Sequence, residues 1–310
     1  MARFKVGVVG GGNVGATVAQ RIAERDLADV ILTDIVEGLP QGKSLDLCQA
    51  SSVDNYGSRL KGSNTPEDLK GCDVVVITAG LPRKPGMTRE DLIDKNAAIT
   101  RSVAEAVGKN SPNAILVMVA NPLDIMTYLA MSITKFPKNR VVGMAGILDS
   151  ARFAYFIAEK LNVSPKDIRA MVLGGHGDAM VPLPRYSTVN GVPITELMSK
   201  EDIDALVKRT ANGGAEIVAL LKTGSAYYAP GSSAVQMVES ILKDERRLLP
   251  CACILGGEYG LSKVCVGVPA ILGRNGVEKV VELKLAADEL ALLKKSAAEV
   301  RKGIDHLKLD

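Results

Sequence analysis

Val6-Gly7-Val8-Val9-Gly10-Gly11-Gly12-Asn13-Val14-Gly15 decides the fold of this 310-residue chain. The run Val6-Gly7-Val8-Val9 has the length and branched content of a buried strand. Gly10, Gly12 and Gly15 then follow as Gly-x-Gly-x-x-Gly and open a helix-like stretch over residues 14–25. In such a strand–turn–helix unit the first glycine permits the tight turn. The second lets the backbone approach a pyrophosphate, and the third lets helix pack on strand. The helix N-terminus supplies free N–H groups and positive potential for the phosphates. A Gly-rich hexapeptide alone carries little weight. Here the acidic residue that such a site needs about 20 residues later is Asp34, closing an apolar run over residues 30–33. Its carboxylate can accept both ribose hydroxyls and would repel a 2′-phosphate, which favours NAD over NADP. The expected cofactor residues are Gly10, Gly11, Gly12, Asn13, Val14, Gly15 and Asp34. The plain alternative is a structural glycine turn followed by a helix-capping Asp.

The alternation continues outward. Apolar runs over residues 73–78 and 114–119 read as buried strands, and residues 41–51 and 89–109 as helices. Buried strands alternating with helices imply a parallel sheet covered on both faces. The second half changes character. Residues 151–161 and 202–221 look helical, and residues 284–307 look like a long, lysine-rich surface helix. Val189-Asn190-Gly191-Val192-Pro193 marks a tight turn between antiparallel strands. At about 150 residues per domain, the chain divides in two. A Rossmann dinucleotide-binding domain with a parallel sheet is expected over residues 1–143. A mixed α/β substrate domain is expected over residues 144–310.

Composition excludes other classes. Hydrophobic residues make up 47% and charged residues 24%, so the chain is neither disordered nor a coiled coil. Thirty-eight Lys and Arg against thirty-five Asp and Glu leave no basic footprint for nucleic acid. No apolar run approaches the roughly 18 residues of a membrane span. Met1-Ala2-Arg3-Phe4-Lys5 runs straight into the first strand with no secretory pattern. The five cysteines are scattered, and Cys251-x-Cys253 has neither redox nor zinc spacing. They read as small buried apolar residues, and a reducing cytoplasm is the simplest setting.

Gly38-Leu39-Pro40-Gln41-Gly42-Lys43-Ser44 imitates a phosphate-binding P-loop. It is one residue short, Glu37 occupies the place of the first glycine, and Pro40 removes an N–H from the cradle. Pro40 reads instead as opening a helix.

Of two histidines, His306 lies in the lysine-rich terminal helix and reads as solvated. His176, in Gly174-Gly175-His176-Gly177-Asp178, is the plausible imidazole for proton chemistry near neutral pH. Alone it would be read as a loop histidine with a satisfied hydrogen bond. Asp149 and Arg152, three apart, share a helical face, by default as a surface salt bridge. Asn121-Pro122-Leu123-Asp124 follows a strand at the edge where such sheets bind ligands, although Asn121 also suits a helix cap. Residues 81–89, with Arg83, Arg89, two prolines and Gly86, form a loop able to close as a lid.

Taken together and in order, these segments resemble the lactate/malate dehydrogenase superfamily, at its lactate-dehydrogenase-like malate dehydrogenase branch. The resemblance covers essentially the whole chain. It implies oxidation of a 2-hydroxy acid with NAD, His176 taking the hydroxyl proton and Asp149 fixing its tautomer. It implies Arg152 on the C1 carboxylate, Arg89 polarising the C2 carbonyl, and Asn121 contacting substrate and cofactor. Asn96, Val119 and Ala120 match cofactor contacts of the family. Arg83 takes the lid position that meets the substrate's variable end, where lactate enzymes commonly carry Gln. Oxaloacetate brings a second carboxylate there, whereas pyruvate would leave a buried cation unpaired. Losing one partner of a buried pair costs about 3–5 kcal/mol, against about 1–3 kcal/mol for a methylene in an apolar pocket. Charge therefore decides, and the expected substrate is the dicarboxylate pair malate and oxaloacetate. Lactate or another 2-hydroxy acid on the same scaffold is the alternative. A non-catalytic NAD(H)-binding sensor is the alternative of another class. The family also implies a homodimer or homotetramer, for which Leu45-Asp46-Leu47-Cys48-Gln49-Ala50 offers either an interface or a core face.

Overall fold

The computed structural model describes residues 3–82 and 86–309, so Arg83 lies outside the described residues. The elements of the first half run β1 (Lys5–Val9), α1 (Asn13–Glu24), β2 (Asp29–Thr33), α2 (Leu39–Asp54), β3 (Leu60–Ser63), β4 (Val74–Ile77), α3 (Arg89–Asn110), β5 (Ile115–Met118), α4 (Leu123–Thr134) and β6 (Val141–Gly143). Those of the second half are α5 (Gly146–Leu161), β7 (Ile168–Arg169), β8 (Val172–Gly174), β9 (Met180–Pro182), β10 (Thr188–Val189), β11 (Val192–Pro193), α6 (Ile194–Leu197), α7 (Lys200–Leu221), α8 (Tyr228–Leu242), β12 (Arg247–Gly256), β13 (Ser262–Gly273), β14 (Gly276–Val280) and α9 (Ala287–His306).

The first six strands are parallel in the order β3-β2-β1-β4-β5-β6. This is the doubly wound order, and it reverses direction between β1 and β4. Val6 lies between Val30 and Val74, and the central strands carry no polar face. Helices cover both sides, as strands buried throughout require.

The sheet continues beyond β6. Ala252 of β12 pairs antiparallel with Gly143, β13 pairs along β12, and Gly267 faces Gly174 of β8. One sheet thus joins the parallel half to a mixed α/β second half. The Asn190-Gly191 turn joins β10 to β11, both residues at positive φ as a type I′ hairpin needs.

The stretch that imitated a P-loop enters α2, with Pro40 in its first turn. It does not form a loop around an anion. Cys72, Cys251, Cys253 and Cys265 are buried, and no disulfide forms among the described residues. Burial pushes the Cys72 thiol up to about 11 and that of Cys253 to about 12, as expected of packing residues. No helix among the described residues is long and apolar enough to cross a membrane.

The turn after β1 has little freedom. Gly10 sits at φ +106°, and a Cβ on Gly15 would fall 1.8 Å from the Gly10 carbonyl oxygen. Helix α1 can approach β1 only because that atom is missing. Gly15→Ala should therefore lower the unfolding free energy by about 1–3 kcal/mol, the usual cost of overpacking. Thermal denaturation would read this as a lower midpoint. An unchanged midpoint would mean that helix and turn separate without cost.

Candidate active site

The glycine turn, Asp34, Asn121 and Asp149 follow the carboxyl ends of the parallel strands β1, β2, β5 and β6. Gly11 donates its N–H to Asp34 Oδ2 at 2.6 Å, and Val36 N–H reaches Oδ1 at 2.9 Å. Asp34 directly follows β2 and keeps lone pairs free for further donors. A Cβ at Gly12 would meet no atom within 4 Å, so the outer side of the turn is open. Helix α1 begins with no side-chain cap and no acid in its first turn. Its N–H groups and dipole are left for an anion. Asn13 is exposed and Val14 half-buried at this end. An open glycine turn, an uncapped helix and a carboxylate on the next strand together fit a dinucleotide.

The loop after β4 leads to Thr88, which closes a reciprocal cap with Asp91: Asp91 N–H to Thr88 Oγ1, Thr88 N–H to Asp91 Oδ2. Arg89 is the first residue of α3, exposed and without an ion pair among the described residues. Asn96, one side chain expected to touch the cofactor, is only 1% exposed. Its amide nitrogen donates to the Leu81 and Asn121 carbonyls at 3.0 and 2.7 Å, and its oxygen accepts the Leu81 N–H at 2.7 Å. Asn96 thus ties Leu81, after β4, to the loop after β5. Val119 and Ala120 are buried along that loop, while Asn121 is exposed and precedes a cis peptide to Pro122.

His176 follows β8. Its Nδ1 lies 2.9 Å from Asp149 Oδ2, and its backbone N–H donates to Asp124 Oδ2 at 2.8 Å. Gly175 N–H reaches Ser296 Oγ of α9 at 2.7 Å. Asp149 is 1% exposed and lies on the first turn of α5, so Arg152 stands one turn later on the same face. The Arg152 Nη1 to Asp149 Oδ1 distance is 3.7 Å. That is an ion pair without a hydrogen bond, and both Asp149 Oδ1 and Arg152 Nε are buried without hydrogen-bond partners. The pair read from spacing is therefore a buried feature of the site, not a surface bridge.

Burial works against the charged imidazole, but Asp149 and, more weakly, Asp124 outweigh it. The His176 pKa is raised above the ordinary value. Burial pushes the Asp124 carboxyl up to about 6, opposed by the His176 N–H and ring. Burial pulls Arg152 below its usual range, against the attraction of Asp149. His306 lies apart, exposed, with Nε2 2.8 Å from Asp94 Oδ1.

Several site residues carried no role in the sequence reading. Asp124 stood in the quoted Asn-Pro-Leu-Asp segment, but nothing there tells that α4 points it at a loop 52 residues on. Ser296 sits in the lysine-rich helix with no local signal. Gly213 and Gly214 interrupt α7, where each glycine costs about 1 kcal/mol against Ala. A Cβ at Gly213 would lie 3.1 Å from Arg152 Cδ, and one at Gly214 3.4 Å from Nη2. Paired glycines in a long helix were the available signal, since they make room for the guanidinium.

Residues 4–143 match the family described as lactate/malate dehydrogenase, NAD binding domain. Residues 147–309 match lactate/malate dehydrogenase, alpha/beta C-terminal domain. A malate dehydrogenase of Roseiflexus sp. (strain RS-1) is 56% identical over 99% of either chain. Among solved structures, malate dehydrogenase of Cryptosporidium parvum superposes with a TM-score of 0.97 at 44% identity, covering 99% of both chains. The lactate dehydrogenase of that organism, complexed with lactic acid and NAD, gives 0.96 at 41% identity over 100% of this chain and 99% of its own. Two matched domains in sequence and relatives similar from end to end leave one conclusion: the chain belongs to the lactate/malate dehydrogenase family.

Proposed function

We propose that the chain is an NAD-dependent malate dehydrogenase that interconverts (S)-malate and oxaloacetate. The observation that carries this reading is the buried Asp149 carboxylate, bonded to His176 and paired with Arg152 on one helical turn. The full-length relatives named malate dehydrogenase support the dicarboxylate over the monocarboxylate.

NAD, when bound, supplies the hydride acceptor at its nicotinamide ring. The chain supplies the rest. Asp149 holds the Nδ1–H of His176, which leaves Nε2 free to take the hydroxyl proton from malate or return it in the reverse direction. The charge that appears on the ring is stabilised by the same carboxylate. Arg152 keeps unused N–H donors for a bidentate grip on the C1 carboxylate. Arg89, at the hinge end of the lid, polarises the C2 carbonyl as negative charge develops. Arg83 meets the second carboxylate and rejects the methyl of pyruvate. Asn121 donates to substrate. Asn96 acts through the loops it ties together, and Val119 and Ala120 line the cofactor side.

The two functional domains divide at residues 143–144, the glycine turn on one and His176 with Arg152 on the other. The active assembly is a homodimer or homotetramer. Helix α2 supports this by leaving Leu45 and Val53 60% and 78% exposed. The protein works in the cytoplasm, without nucleic-acid or membrane partners, a reading supported by the unpaired cysteines and near-balanced charge.

Purified protein should oxidise NADH rapidly with oxaloacetate and slowly with pyruvate, and Arg83→Gln should move that ratio toward pyruvate by about 10²-fold. A native preference for pyruvate would replace the substrate assignment and keep the His176 chemistry. Binding of NADH without turnover would favour a sensor.

Asp149→Asn removes the stronger of the two charges that raise the His176 pKa and leaves burial, which lowers it, opposed only by the weaker pull of Asp124. Oxaloacetate reduction needs protonated His176 and is lost as pH rises through that pKa. The alkaline limb of kcat/KM should therefore move to lower pH in the variant, with a large fall in kcat. A limb at the wild-type position would detach Asp149 from the proton chemistry.

A further inference from the structure

Lys43 belongs to the stretch that imitated a P-loop, and α2 carries it to the other phosphate motif. Its Nζ donates to the Gly11 carbonyl at 2.7 Å. The N–H of the same glycine is held by Asp34 Oδ2 at 2.6 Å. One ammonium and one carboxylate are thus anchored to the two polar groups of a single residue in the dinucleotide turn. Neither belongs to an ion pair among the described residues. The ammonium has three donors and uses one. It is half-buried, so part of its hydration is already lost. Next to it, the outward side of Gly12 is open.

This arrangement matters for the ribose end of the cofactor. Asp34 is the residue placed to accept the ribose hydroxyls and repel a 2′-phosphate. Sites that accept the phosphate instead place a cation beside the same position. Lys43 is such a cation, already positioned. Resting on the NAD reading above, we propose that Lys43 is a cofactor-specificity residue. It forms a foothold for a 2′-phosphorylated dinucleotide, so that the choice between NAD(H) and NADP(H) is set by Asp34 against Lys43, not by Asp34 alone. A phosphate oxygen would take the two unused ammonium donors. Removing the Asp34 charge would unmask that site, and the residual binding of NADPH by the native protein would depend on it.

The test is a titration of NADH and of NADPH by nucleotide fluorescence, without substrate, on wild type, Lys43→Met, Asp34→Ser and the double variant. Lys43→Met should raise the Kd for NADPH about tenfold, the value of about 1.4 kcal/mol, and change that for NADH far less. Asp34→Ser should shift preference toward NADPH, and adding Lys43→Met should reverse the gain by a similar factor. A Kd ratio unaffected by Lys43 in both backgrounds would overturn the proposal. So would equal weakening of both nucleotides, which would make Lys43 a support for the turn. Lys43→Gln, which keeps a donor for Gly11 and removes the charge, gives the same test if the Met variant does not fold. Wild type binding neither nucleotide would overturn the cofactor reading itself, a separate result.

Discussion

Two carboxylates, Asp124 and Asp149, lie almost wholly out of water beside one histidine, Asp149 at its ring and Asp124 at its backbone N–H. Burying an ion costs several kcal/mol even after the protein relaxes, so each must be held by partners of opposite sign or by N–H donors. Asp149 has the His176 ring and Arg152, and Asp124 has the His176 backbone. With Ser296 of α9 holding the Gly175 N–H, the loop Gly174-Gly175-His176 is pinned from three elements, α4, α5 and α9. A Cβ at Gly174 would strike the Ala179 carbonyl oxygen at 2.7 Å, and one at Gly175 would reach Val300 at 2.9 Å. Only a glycine pair passes through this gap. The imidazole is therefore fixed in place and kept more basic by charges that solvent screens little.

The same contacts link the two halves of the chain. Asn96 joins Leu81 to the loop of Asn121, and three residues later Asp124 reaches the loop of His176. Asp149 and Arg152 extend the chain of contacts to α5, and Gly213 and Gly214 complete it on α7. The sheet supplies the rigid frame. β12 and β13 carry it from the nucleotide half to β8, whose end presents His176. Gly213 is thereby linked to His176 through Arg152 and Asp149.

Much of this was legible in the chain. Elements with a strong period or a turn signature, such as β1, α1, α3, α7 and the Asn190-Gly191 hairpin, are where the residues place them. His176, Asp149 and Arg152 do lie together, although nothing in their spacing brings residues 149 and 176 to one point. That is the work of tertiary pairing. β12 and β13 gave no strand signal because they are apolar on both faces and contain proline. Pro250 and Pro269 stand directly opposite one another. Lacking N–H groups, they fit only at a pair that exchanges no hydrogen bonds. Helix α8 was hidden for a related reason, since it is too buried to show a clean polar face, whereas α4 follows the Asn121-Pro122 segment that suited a helix cap. Asn96 illustrates the remaining gap. Its residue type suits a ligand contact, but burial turns its amide to the backbone on both sides.

The account rests on His176 being made more basic by the carboxylates around it. With two histidines in the chain, imidazole signals from labelled protein can be followed through a pH titration by NMR. The predicted result is a His176 titration above the ordinary imidazole value, falling on Asp149→Asn. A titration at or below the ordinary value in the wild-type protein would contradict it, because burial would then outweigh the carboxylates and the proposed proton carrier would be neutral.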